Sequence, residues 1–225
     1  MTISSNNSML DYQSEFLQFC ISTNVLRFGD FTLKSGRQSP YFFNAGLFSS
    51  GASLNRLAQF YAQTLEQHMN NDYMLFGPAY KGIPLVTSVA MAMDGLYQKD
   101  IHIAFNRKEV KDHGEGGNLV GAPLRGDVVI VDDVITAGTS VGESVAIIEA
   151  SGARPAAVLI ALDREEIVEN SGGRSAVQMV AERYGIPVFS IAKLTTLIGF
   201  LEQSTEQSDT LERIRTYRNT FGVMD

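Results

Sequence analysis

The sequence predicts an α/β fold: a doubly wound, mostly parallel sheet flanked by helices, with a small N-terminal lobe. Three observations carry this. The runs Val128 to Val131 and Ala156 to Leu162 are apolar throughout, as strands buried on both faces of a helix-covered parallel sheet are. From about residue 73 onward such runs alternate with stretches of helical periodicity. The central run ends in two adjacent carboxylates, Asp132 and Asp133, and the Thr/Gly/Ser turn after them opens a helix.

Taken in order, residues 1–8 (MTISSNNS) are polar, with no basic stretch followed by an apolar one, and read as a loose tail that is neither signal nor transit peptide. Residues 9–49 form the N-terminal lobe. Leu10, Phe16, Leu17, Cys20 and Ile21 recur at roughly helical spacing and predict an amphipathic helix over 9–23, with Cys20 on its core stripe. Two short strands follow, Phe28 to Leu33 and Pro40 to Ala45, joined by Lys34-Ser35-Gly36-Arg37-Gln38. Residues 50–225 form the core, whose last helix can pack back on the lobe. A helix over 50–69 carries Leu54, Leu57, Ala58, Tyr61 and Leu65 on one face. Tyr73 to Phe76 is a strand, Gly77 to Gly82 a turn, and a Val/Ala/Met-rich helix comes next. Strands at Ile101 to Phe105 and 128–131 precede a helix marked by Val141, Val145 and Ile148, which Gly152 can end. The strand over 156–162, a helix near 175–184, a strand over 187–191, the apolar segment 194–201 and a charged amphipathic helix complete the chain.

Bulk properties exclude several classes. A length of 225 residues suits one domain, or one with a small appendage. A hydrophobic content of 44% supports an ordinary globular core. The net charge of −7 argues against broad nucleic-acid binding. A single cysteine rules out an internal disulfide and a multi-cysteine zinc site, and suits the reducing cytoplasm. No apolar run approaches a membrane span.

The stretch DVVIVDDVITAGTS, residues 127–140, is where the chemistry concentrates. A strand, a Thr/Gly/Ser turn and a helix N-terminus make a phosphate seat, because free backbone N–H groups and the positive end of the helix dipole meet the anion there. Asp132 and Asp133 repel a phosphate, so they serve a cation or the hydroxyls of a sugar that carries it. A turn alone gives no reason for two acids at a buried strand's end. A triphosphatase loop would need lysine where Ala52 stands in Gly46 to Ser53, and no G-x-G-x-x-G follows a predicted strand. Other strand ends add Tyr80-Lys81, the run Arg107-Lys108-Glu109-Val110-Lys111-Asp112-His113 and Asp163-Arg164. Four strand ends thus meet on one sheet edge, where Lys81, Arg107, Lys108, Lys111 and Arg164 imply a strongly anionic ligand. Gly114, Gly116 and Gly117 after the charge run predict a mobile lid over 108–121.

These residues resemble a known family. DDVITAGTS (132–140) is similar to the ribose-phosphate motif of the type I phosphoribosyltransferases. FTLKSGR (31–37) with SPYFFN (39–44), FGPAYKGIP (76–84), FNRKEVKDHGEGGNLVG (105–121) and ALDRE (161–165) resemble the orotate phosphoribosyltransferases, in the same order. The resemblance covers the chain from about residue 12 to near its end. The pair Ala137-Gly138 and the aromatic N-terminal hood set it apart from purine-salvage relatives.

The resemblance implies transfer of the phosphoribosyl group from phosphoribosyl pyrophosphate (PRPP) to N1 of orotate, giving orotidine 5′-monophosphate and pyrophosphate. It implies that Val134, Ile135, Thr136, Ala137, Gly138, Thr139 and Ser140 seat the 5′-phosphate while Asp132 and Asp133 hold ribose hydroxyls. Lys34, Tyr80, Lys81, Arg107, Lys108, Lys111 and His113 are placed on PRPP, with Lys111, His113, Asp132 and Asp133 as the catalytic group. Phe42, Phe43, Thr136 and Arg164 are placed on orotate, Arg164 as a fork for its carboxylate; Arg164 could also pair with Glu165 or Glu166. Phe42 and Phe43 are adjacent, so on a strand one of them faces away from the base. The implied cofactor is magnesium (Mg2+), held mainly by PRPP oxygens and water with no protein ligand named. A homodimer sharing the lid 108–121 across its interface is implied too. A purine phosphoribosyltransferase, and a non-catalytic PRPP-sensing regulator on the same fold, remain open alternatives.

Overall fold

A computed structural model describes residues 11–33, 35–111, 117–203 and 207–223; for 109–111 and 117 the backbone alone is described. The N-terminal helix α1 (Asp11–Ser22) buries Phe16, Leu17 and Cys20, the stripe expected from their spacing. Strands β1 (Leu26–Thr32) and β2 (Gln38–Phe43) pair antiparallel as a separate two-stranded sheet. Helix α2 (Gly51–His68) starts at Ser50, whose hydroxyl accepts from the Ser53 N–H in a capping box.

The large sheet comprises β3 (Met74–Gly77), β4 (Ile103–Lys111), β5 (Gly117–Gly121), β6 (Asp127–Val131), β7 (Arg154–Asp163) and β8 (Val188–Lys193), in the order β5-β4-β3-β6-β7-β8. All neighbours are parallel except β4 and β5. The connecting helices are α3 (Gly82–Tyr97), α4 (Thr139–Ala150) and α5 (Ala176–Tyr184), and α6 (Leu194–Leu201) and α7 (Ser208–Phe221) close the chain.

Alternation along the buried strands builds two cores. Leu75, Val129, Val131, Leu159 and Ala161 face one side, against α1, α2, α3, α6 and α7. Met74, Phe76, Val128, Ile130, Val158 and Ile160 face the other, against α4 and α5. Each fully buried branched side chain contributes about 1.5–3 kcal/mol, which fixes the register at the centre of the sheet.

Two features depart from the sequence-based expectations. Strand β4 was expected to end at Phe105 but runs on to Lys111, and β5, not foreseen, pairs with it from Ala104↔Gly121 to Lys111↔Gly117. The arms of the expected mobile lid are therefore strand; only 112–116 between them lie outside the described residues. Backbone pairing needs no apolar side chains, so a charged, glycine-rich sequence can form it. The second departure is small: most boundaries shift by one or two residues, as β1 and β2 do.

Candidate active site

The chain leaves β3 for β4 on one side and returns to β6 on the other, so the strand order reverses between β3 and β6. In an open α/β sheet the ligand crevice lies beyond the carboxyl ends at such a point. The turn after β3 and the turn after β6 form its two walls.

The β3–α3 turn is tight. A side chain at Gly77 would stand 2.2 Å from the carbonyl oxygen of Gly82, so only glycine permits this approach. The turn presents Tyr80 and Lys81 to solvent. Asn106 of β4 secures it from the side: its Oδ1 accepts the Ala79 N–H at 2.8 Å. Lys108 lies over the Tyr80 ring, Nζ 5.4 Å from the centroid, so two segments expected on PRPP are brought together.

After β6, Asp132 and Asp133 are both buried, 8% and 7% exposed. Their backbone continues the pairing with β7, Asp132 N–H to Leu159 and Ala161 N–H to Asp133. The Tyr61 hydroxyl donates to the Asp132 carbonyl at 2.8 Å, pinning the turn from α2. Asp132 Oδ1 accepts the Asp133 N–H and its Oδ2 accepts the Ser140 hydroxyl. Asp133 Oδ1 accepts the Val134 N–H, while its Oδ2 holds Lys81 Nζ at 2.7 Å, bridging the crevice. Burial first, and the Asp133 charge second, push the Asp132 carboxyl up to about 6 against these donors.

Gly138 caps α4 with φ +73 and no side-chain cap, leaving the first-turn N–H groups facing the Thr136-Ala137-Gly138 turn. A Cβ there would be strained and would also crowd Val180 at 3.0 Å. This is the expected phosphate seat. Ser140, expected on the phosphate, is instead turned to Asp132.

Phe42 stacks on Phe31 at 5.5 Å beneath Arg27, whereas Phe43 packs against the main core. Arg164, after β7, donates from Nε and Nη2 to Glu166 at 2.8 and 2.6 Å and lies over the Tyr41 ring. Arg107 is half-buried on β4 beyond the last β3 partner. Lys34 and His113 lie outside the described residues, as does the side chain of Lys111. Of the two partners the sequence offers Arg164, Glu166 is the one it takes; Tyr61 and Asn106 are supports that no local sequence pattern marks.

A parallel sheet with two acids beside a glycine-capped helix N-terminus, facing a basic turn across a switch point, defines a phosphoribosyl-transfer type of site. Residues 47–173 match the phosphoribosyl transferase domain family. The orotate phosphoribosyltransferase of Methylococcus capsulatus is 58% identical over 215 residues, 96% of this chain and 100% of that protein. That of Nitrosococcus oceani is 57% identical over 216 residues, 96% of this chain and 97% of the relative. A solved orotate phosphoribosyltransferase from Francisella tularensis superposes with a TM-score of 0.84 at 38% identity, covering 92% of this chain and 99% of that one. The chain belongs to the orotate phosphoribosyltransferase family.

Proposed function

We propose that this site transfers the 5-phosphoribosyl group from PRPP to N1 of orotate, in the assembly of pyrimidine nucleotides. The bond from ribose C1 to the pyrophosphate oxygen breaks, the bond from N1 to C1 forms, and the N1 proton leaves to solvent. The observation that carries the reading is the buried acid pair beside the open N-terminus of α4, with Lys81 reaching across the crevice to Asp133.

Each group has a part. The α4 turn, Thr136 to Ser140, seats the 5′-phosphate on backbone N–H groups, with Val134 and Ile135 leading into it. Asp132 and Asp133 accept from the ribose 2′- and 3′-hydroxyls, which holds C1 in place for in-line displacement. Lys81, exchanging its hold on Asp133 for the arriving pyrophosphate, joins Arg107, Lys108, Lys111 and His113 in neutralising the leaving group, with Tyr80 beside them and Lys34 on PRPP close to the base. Phe42 lies along the base, and the two-stranded β1–β2 sheet within residues 9–49 covers it as a hood over the core of residues 50–225.

Magnesium fits as a companion of the substrate. Among the described residues no group of three or more His, Cys, Asp or Glu that could hold a metal ion stands together. The ion would be held by PRPP oxygens and water, where it shields their charge. We also place the enzyme in the cytoplasm as a homodimer. No helix among the described residues is long and apolar enough to cross a membrane.

Arg164 tests the acceptor side. Arg164→Lys keeps a charge beside Glu166 but loses the planar fork. KM for orotate should rise roughly tenfold, the scale of a lost charge-assisted bond, with KM for PRPP nearly unchanged. Equal loss for both substrates in steady-state kinetics would make Arg164 a structural residue.

A further inference from the structure

Glu166 is engaged from three parts of the chain. Its Oε1 accepts Arg164 Nε, Arg164 Nη2 and, at 3.1 Å, the hydroxyl of Tyr41 on β2. Its Oε2 faces Arg37 Nη1, from the β1–β2 turn, at 3.9 Å. Arg37 is itself held: Nη2 donates to the Ile167 carbonyl at 2.8 Å and the guanidinium lies over Phe221 at the end of α7. Tyr41 is fully buried and its ring lies 4.7 Å under the Arg164 guanidinium.

Two consequences follow from chemistry. Arg164 has five N–H donors, and Glu166 takes the two that point along the Nε–Nη2 edge. The end-on pair, one N–H from each Nη, meets no acceptor among the described residues, and it has the spacing of a carboxylate. Moreover, two guanidinium groups share one carboxylate, with side chains only 22%, 19% and 14% exposed for Arg37, Arg164 and Glu166. The cluster therefore carries one uncompensated positive charge in a mostly dry place, and one further anion balances it.

We propose that Glu166 is a positioning residue for the acceptor: it locks the side edge of Arg164 and turns its end-on edge toward the orotate carboxylate. This rests on the reading of Arg164 given above. Tyr41 and Arg37 hold the brace in turn, so the hood strand β2 and the end of α7 share in orienting one substrate group.

The test is a set of steady-state measurements with both substrates varied. Glu166→Ala frees the guanidinium to rotate, and KM for orotate should rise roughly tenfold with KM for PRPP unchanged. Glu166→Gln keeps an Oε1 acceptor and should recover most of that loss, because the brace works through hydrogen-bond geometry. If Glu166→Ala does not fold, Tyr41→Phe removes one of the donors to Oε1, leaves the ring under Arg164, and should raise KM for orotate a few-fold on the same grounds. A lower KM for orotate in both Glu166 variants would mean that Glu166 competes with the substrate, and would overturn the proposal. So would parallel losses for both substrates. If Arg164→Lys leaves KM for orotate unchanged, the reading of Arg164 itself fails; if that variant behaves as expected and Glu166→Ala does not, the brace alone fails.

Discussion

Lys111→Ala is expected to lose roughly two to three orders of magnitude in turnover, the usual scale for deleting one donor to transition-state charge. The backbone carries Lys111 to the far end of a two-stranded extension of the sheet. Strand β4 continues six residues past Phe105, its last residue paired with β3 (to Gly77), and pairs only with β5 there. Six extended residues span up to about 20 Å, a reach that does not confine the arm to the crevice of its own subunit. We therefore expect Lys111 to serve the neighbouring subunit of a dimer, whereas Asp133, rooted in β6, serves its own. Mixing Lys111→Ala with Asp133→Asn and letting subunits exchange makes about half the dimers hybrids by random pairing. Acting in trans, each hybrid has one site with both lesions and one with neither, and activity recovers to about a quarter of wild type by that counting. If the arm serves its own subunit, every hybrid site keeps one lesion and mixing restores nothing.

The acids carry the second large effect. Asp133→Asn and Asp132→Asn should each lower kcat/KM for PRPP between about tenfold and about hundredfold, since each removes a charged acceptor from a ribose hydroxyl. Asp132 adds a pH signature. Its folded-state value, about 6, lies above the ordinary aspartate value of 3.8, so between those two the folded protein holds a proton that the unfolded chain has released. The stabilisation this gives is complete below 3.8 and is lost as pH rises through 6. Asp132→Asn has no carboxylate to ionise, and its amide can still serve the Asp133 N–H and the Ser140 hydroxyl. Thermal midpoints should show Asp132→Asn gaining on the wild type as pH rises through 6, and holding that gain at pH 8. In the wild type, kcat/KM for PRPP should rise through the same region as the better acceptor forms, and the variant should lack that limb. A pH-independent stability difference would place the titration elsewhere.

What was legible in the sequence was whatever burial and local spacing write into it. Val128 to Val131 are all fully buried, and a strand covered on both faces can only read as an apolar run. Asp132, Asp133 and Gly138 are legible because the two acids, the turn and the helix start fall within a few residues of each other. Strand β5 was not legible: Gly117 to Gly121 is held by its backbone, and its glycines read as mobility. The supports of the site were hidden for a different reason. Tyr61 reaches Asp132 from 71 residues away, Asn106 reaches Ala79 from 27, and Tyr41 reaches Glu166 from 125. Tyr61 and Tyr41 read in sequence as ordinary core aromatics; only their hydroxyls, placed by the fold, tie them to the site.

The most direct measurement follows pyrophosphate release from PRPP with orotate, with hypoxanthine and with no acceptor, while orotate consumption is monitored in the same reaction. The expected result is release with orotate alone, one pyrophosphate for each orotate consumed. Release with hypoxanthine, release of equal size without any acceptor, or none with orotate would contradict the assignment of this site to phosphoribosyl transfer onto orotate.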